Sequence, residues 1–329
     1  MTYRWTGFIF LFVLVGFALI ASIAFGVVQI SVSSIINAIW SFDGAYDQLI
    51  IRSVRLPRAL IAAAVGGSLA VAGCLMQALS RNGLAGPEIF GVNNGAALAV
   101  VIVSIVLHST SLAVFTWAAM AGAAIAGATV FLLGSIGRQS LTSIKLILAG
   151  ATINLLFASL TQGILILNEQ SLDTMRFWLA GSLTGRDLQL FLQVVPYMIA
   201  GLAAAFVLSH HMNVIGLGEE MAQGLGQRIV LIKVLCIVVS VLLAGSAVAI
   251  AGPIAFIGLA IPHIARALVG SDYRWVIPYS ALLGALLLLI ADIGARFVLP
   301  AQEVPAGIVT AFFGAPFLIY LAQRRGRTK

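Results

Sequence analysis

A chain of 329 residues in which 61% are hydrophobic and only 9% charged cannot cover a soluble globular domain, where roughly 25% of residues are charged. Its formal net charge of +7 would suit a nucleic-acid partner if it lay on one soluble face. The basic residues instead flank long apolar runs, as in membrane proteins whose cytoplasmic loops are positive.

A bilayer core about 30 Å thick takes ~20 apolar residues per helix, and ten apolar runs follow one another along the chain. They are predicted at Phe8–Val28, Leu60–Leu79, Gly91–Leu107, Leu112–Leu133, Leu146–Leu167, Leu190–Leu208, Ile229–Ala251, Pro253–Val269, Ile277–Val298 and Gly307–Leu321. The first is too long for the apolar core of a signal peptide and has no evident cleavage site, so it reads as a retained span. Gly252-Pro253 reads as a turn between two spans, because proline cannot continue a helix. Cys74 and Cys236 lie inside apolar runs with no C-x-x-C partner, which argues for small packed hydrophobes over disulfide or metal chemistry.

With the N-terminus cytoplasmic, the inner side receives Arg4, Arg81, Arg138, Lys145, Arg228, Lys233, Arg266, Arg274 and the tail Arg324, Arg325, Arg327 and Lys329. The outer side receives Arg52, Arg55, Arg58, Arg176, Arg186 and Arg296. The inward bias favours both termini in the cytoplasm. No soluble domain remains, so the expected fold is all-α: one polytopic membrane domain over residues 1–329 with about ten transmembrane helices.

Small residues recur at close spacing in Ala62–Ser68 and Gly122–Gly127, a pattern that lets helix backbones approach where lipid gives no hydrophobic drive to pack. The chain has no Gly-Lys pair, and therefore no phosphate loop of the Gly-x-x-x-x-Gly-Lys-Ser/Thr type. Arg52, Arg55 and Arg58 crowd the mouth of the second span, where they either reach to lipid headgroups or meet an acidic docking partner. Asp292 and Arg296 stand four apart, on one helix face, and are expected to neutralise each other. The stretch Asn213–Arg228 is the most polar of the inner face. Its middle can form a short amphipathic helix bounded by Gly218 and Gly226, as a plain connector or as a handle for another subunit. The intramembrane amides Gln77, Asn93, Asn94 and Asn154 are expected to bond across helices, and His263 to meet a backbone carbonyl, since no second metal ligand lies at helical spacing.

Several segments, in order, carry a resemblance. They are Arg55-Leu56-Pro57-Arg58, Gln77 with Arg81–Pro87, Trp178–Leu183, Leu217–Glu220 with Leu225-Gly226, Ala251–Leu259 with Pro262-His263 and Arg266, and Asp292 with Arg296 followed by Pro305–Gly307 and Gly314–Phe317. Together they resemble the FecCD family, the ten-span permeases of iron-siderophore, haem and cobalamin ABC importers. Gly83 departs from the family, which usually has proline there.

The resemblance implies a type II ABC importer permease fold in the bacterial cytoplasmic membrane, without a cofactor or nucleotide site of its own. Its implied partners are cytoplasmic ATP-binding subunits, an extracytoplasmic substrate-binding protein and a second permease copy or paralogue. It implies that Arg55, Arg58 and Arg296 receive acidic residues of the binding protein. It further implies that Gly218, Glu219, Glu220, Leu225 and Gly226 form the ATPase-coupling segment, and that Asn82, Leu84, Thr142 and Ser143 close the cytoplasmic end of the pathway. The implied cargo is a ferric siderophore, with haem or cobalamin as alternatives. A competing class, the ion-coupled secondary transporter, needs a buried acidic ion site; Asp292 is the strong candidate, and its pairing with Arg296 weighs against it. No His/Asp/Glu cluster with catalytic spacing supports a membrane enzyme.

Overall fold

Each of the ten predicted spans corresponds to an apolar helix. The computed structural model describes residues 2–26, 30–136, 143–168, 175–299 and 303–326. Among them, seven helices are long and apolar enough to cross a membrane, and three shorter apolar helices complete the series. In chain order, α1 (Thr2–Ala24) is followed by a short helix α2 (Val32–Trp40) and by α3 (Tyr46–Ser80). Next come α4 (Val92–Val106), α5 (Leu112–Ser135), α6 (Ser143–Ile166), the short α7 (175–179) and α8 (Leu188–Gly216). After the short α9 (Glu219–Gly224), the chain forms α10 (Ile229–Ala251), α11 (Ile257–Val269), α12 (Tyr273–Ala295) and α13 (Ala306–Gly326).

Burial divides these helices into a centre and a surround. In α3 83% of the most apolar stretch is buried, against 28% in α1 and 22% in α6, so α3 is the axis on which the others pack. It touches α12, α10, α11 and α8. The small residues explain how closely. A Cβ on Gly66 of α3 would overlap the Gly284 carbonyl of α12, and one on Gly284 would overlap the Gly66 carbonyl. Gly95 of α4 and Gly122 of α5 face each other in the same reciprocal way. Dispersion between backbones in contact replaces the hydrophobic drive that lipid cannot supply.

Two boundaries differ from the sequence reading in ways that matter. The second span begins at Tyr46 rather than near Leu60, because the arginine-bearing segment is itself helical, with a π turn over Ile51–Arg55. The eighth span does not begin at Pro253: residues 253–256 are unwound and α11 starts at Ile257. Gly252 turns out of α10 at φ 73° and Phe256 enters α11 at φ 81°, a region that bulky side chains rarely adopt. The 13 residues of α11 reach only ~20 Å at 1.5 Å per residue, short of the ~30 Å of a bilayer core.

Three of the four intramembrane amides, Gln77, Asn94 and Asn154, bond across helices. Pro262 has no N–H to offer the Gly258 carbonyl four residues earlier; Gln77 of α3 donates to that carbonyl at 3.4 Å and to the Leu259 carbonyl at 2.9 Å. Asn94 of α4 donates to the Asn154 side chain of α6 at 2.9 Å, and Asn154 donates onward to the Glu88 carbonyl at 2.7 Å.

The Gly66–Gly284 crossing yields a direct test. Gly66→Val should lower the thermal stability of the detergent-solubilised protein by at least the ~1–3 kcal/mol of an overpacked core. Gly16→Val, at a position with nothing within 4 Å, should not. Equal melting of both variants would show that this backbone contact does not hold the bundle.

Candidate functional site

The C-terminal end of α1 is where the three arginines singled out in the sequence converge. A helix ends with carbonyls that lack partners and with a negative dipole end. Arg55 donates to the Ile23 and Ala24 carbonyls at 2.7 and 2.9 Å, and Arg296 to the Ser22 and Phe25 carbonyls, both at 2.7 Å. The two guanidinium groups therefore cap α1 from two other elements, the π turn of α3 and the C-terminal end of α12.

Asp292 ties this cap to the third arginine. Its side chain is completely buried and accepts from Arg296 at 2.5 Å and from Arg58 at 2.9–3.0 Å. Arg58 also holds Glu303, at 2.7 Å, in the loop before α13, and Thr184 donates to the same Glu303 oxygen at 2.8 Å. Burial pushes the Glu303 carboxyl up, but the charge and hydrogen bond of Arg58, with the Thr184 hydroxyl, bring it below the ordinary carboxylate value. Arg55, Arg58 and Arg296 are each only 6% exposed. The pair Asp292–Arg296 forms as the i,i+4 spacing predicts; the two terminal nitrogens of Arg296 also donate to α1 and the residue that follows it. Ser22, Thr184 and Glu303 escaped the sequence reading because they join the cluster from loops and helix ends far away in the chain. The signal available was Glu303 itself, an acidic residue beside a span in a chain with few of them.

Between α8 and α10, α9 forms where the glycines predict it. Gly218 enters it at φ 127° and Gly226 leaves it at φ 79°. At its end, Gln227 donates to the Ala222 carbonyl and Gly226 to the Gln223 carbonyl, the paired bonds of a Schellman cap, whose left-handed position favours glycine. Ala222 is buried against the bundle, while Met221 and Leu225 project outward with Glu220. A polar helix that exposes two large apolar side chains has a surface suited to contact with another protein.

The expected gate residues are divided. Asn82 makes an Asx turn, its side-chain oxygen accepting from the Leu84 N–H at 3.0 Å. Leu84 is exposed. Thr142 lies outside the described residues, and Ser143 opens α6 at their edge. Beside α9, a recess of about 660 Å³ is lined by residues that include Gln77, Arg81, Gly218, His263 and Arg266, with Arg266 donating to the Gln77 side-chain oxygen Oε1.

The model of the FecCD transport family matches residues 13–324. The permease protein YfiZ of Bacillus subtilis (strain 168), assigned to a siderophore transport system, is 49% identical over 321 residues and covers 98% of this chain and 96% of its own length. The ferric enterobactin transport system permease protein FepD of Escherichia coli (strain K12) is 41% identical over 307 residues, covering 93% and 91%. A solved structure described as an inward-facing conformation of a metal-chelate type ABC transporter superposes with a TM-score of 0.86 at 30% identity, covering 97% of this chain and 99% of that one.

The buried charge cluster sets an expectation for stability. Asp292→Asn leaves Arg58 and Arg296 together without their shared carboxylate. The loss of one partner from a buried ion pair typically costs about 3–5 kcal/mol, readable as a lower unfolding temperature in detergent. Unchanged melting would refute a structural role for the cluster.

Proposed function

Because this chain belongs to the FecCD transport family, we propose that it is the membrane-spanning permease subunit of an ABC importer that carries a ferric siderophore into the cytoplasm. The observation that carries this reading is end-to-end similarity to permeases named for siderophore, ferric citrate and ferric enterobactin transport. Ten passes leave both termini on one side, and the basic tail Arg324-Arg325-Gly326-Arg327 assigns that side to the cytoplasm.

Energy then comes from outside the chain, which lacks the Gly-Lys pair of a phosphate loop. We assign α9, with Gly218, Glu219, Glu220, Leu225 and Gly226, to contact with a cytoplasmic ATP-binding subunit; its exposed Met221 and Leu225 support this. Asn82, Leu84, Thr142 and Ser143 keep the assignment of an inner seal. The outer cluster of Arg55, Arg58 and Arg296 is assigned to docking of a binding protein. Three cations against the carboxylates of Asp292 and Glu303 leave an excess of positive charge beneath that rim, and such fields steer acidic partners. The exposed apolar faces of α6 and α13, with Leu155 at 71% and Phe312 at 76% exposure, are where a second permease copy or paralogue would pack.

The mechanism is mechanical rather than covalent. Binding protein delivers the chelate at the outer rim, nucleotide-driven motion reaches the bundle through α9, and two seals open in alternation. The ion-coupled alternative requires a carboxylate free to exchange its ion, and both oxygens of Asp292 are held by arginines.

Uptake of radiolabelled ferric chelates, haem and cobalamin into vesicles tests the whole reading. Ferric siderophore uptake is expected only when the chain, its ATPase and its binding protein are all present with ATP. Uptake driven by an ion gradient without ATP would overturn it. For coupling, Gly226→Val breaks the Schellman cap and Glu220→Lys reverses an exposed charge, so both should cut stimulated ATPase activity several-fold. Full stimulation and uptake in both variants would reduce α9 to a connector.

A further inference from the structure

Four arginines are buried on the outer side, and one of them is not accounted for by the cluster. Arg186, in the turn between α7 and α8, is 7% exposed, yet among the described residues it makes a single bond, from Nε to the Ser182 carbonyl at 3.3 Å. No carboxylate lies within ion-pair distance of it among the described residues. Its burial lowers its pKa to about 10, still high enough to keep the guanidinium charged at neutral pH. A buried charge without a partner is costly, and proteins normally supply a counter-ion.

The space around Arg186 shows where a counter-ion can come from. Arg186 stands between two outer recesses and lines both. The larger, of about 380 Å³, has aromatic walls from Phe115, Phe177 and Trp178 and reaches Glu303 and Pro305 at the start of α13. The smaller, of about 210 Å³, reaches Arg58 and Asp187. Glu303 is already neutralised by Arg58 and bonded by Thr184, and Asp187 caps α8 through the Gln189 N–H. The unspent donors of Arg186 therefore face a space with aromatic sides, large enough for one arm of a bulky ligand. The Trp178 indole N–H, buried in the same wall, also lacks an acceptor among the described residues.

We propose that Arg186 is a specificity-determining contact for the anionic oxygen groups of a ferric chelate at the outer mouth of the pathway, with Phe177 and Trp178 as the surface against which the chelate arm rests. This rests on the importer reading above and adds a charge requirement to it: the preferred cargo carries net negative oxygen ligands, as carboxylates or catecholates do. Arginine suits the role because its planar donors pair two at a time with such oxygens.

The test uses the full complex in liposomes, with ferric citrate and a ferric tris-catecholate as anionic probes and a neutral ferric tris-hydroxamate beside them. Uptake is measured at saturating loaded binding protein, and docking affinity separately in nanodiscs. Arg186→Gln should lower uptake of the anionic probe that the wild type carries by about 10-fold, the loss of one charge-assisted contact. Docking affinity should hold, and Arg186→Lys, which restores the charge without the paired donors, should recover only part of the rate. Wild-type uptake in the Gln variant would overturn the proposal, as would a Lys variant indistinguishable from the Gln variant, since the charge would then play no part. A parallel loss of docking would overturn it too, by assigning the anion to the binding protein. A wild type that carries only the neutral probe would overturn this inference and leave the importer standing; one that carries no ferric chelate would take down both.

Discussion

Asp292 lies near the C-terminal end of α12 with no exposed surface and binds two guanidinium groups, one from its own helix end and one from α3. Through Arg296 it reaches the C-terminal carbonyls of α1, and through Arg58 it reaches α3 and the loop that leads into α13. Four membrane segments are thus registered at one level by a single carboxylate. In a bilayer, where packing differences between apolar helices are small, a charge that must be matched fixes relative height better than any number of leucines can. The same constraint lets the helix of α3 extend outward past its apolar limit, since its arginines are bonded rather than stranded.

At the opposite end of α3, Gln77 repairs the carbonyl that Pro262 leaves open and accepts from Arg266. The most buried helix is therefore anchored at both ends by polar contacts and in the middle by the glycine crossing with α12. α6, by contrast, has only 22% of its most apolar stretch buried and is tied inward through Asn154. The bundle has a fixed axis and a more loosely held surround, a division that suits a machine in which some helices must move against others.

The number and order of spans were legible in the sequence because hydropathy reports transfer into lipid, which acts on each segment by itself. The four-residue spacing of Asp292 and Arg296 was legible for a similar reason: both partners share one helix. What stayed hidden depends on segments brought together by folding. The inward turn of the arginines toward Ser22 and Phe25 needs the end of α1 beside the end of α12, which no local pattern records. The unwound residues 253–256 were read as the start of a helix, since apolarity does not distinguish unwound backbone from helix. Gly218 and Gly226, by contrast, marked the ends of α9 because a left-handed backbone leaves its trace in the residue type.

Phe256 sits at φ 81° with its ring 5.9 Å from that of Phe317, and a Cβ on Gly314 would collide with it. The two positions are consequently one unit of inheritance. A side chain at 314 is admissible only once the ring at 256 is gone, and a smaller residue at 256 leaves a hole above the bare backbone of α13. Neither can drift alone, so related chains should either keep both residues or have exchanged both.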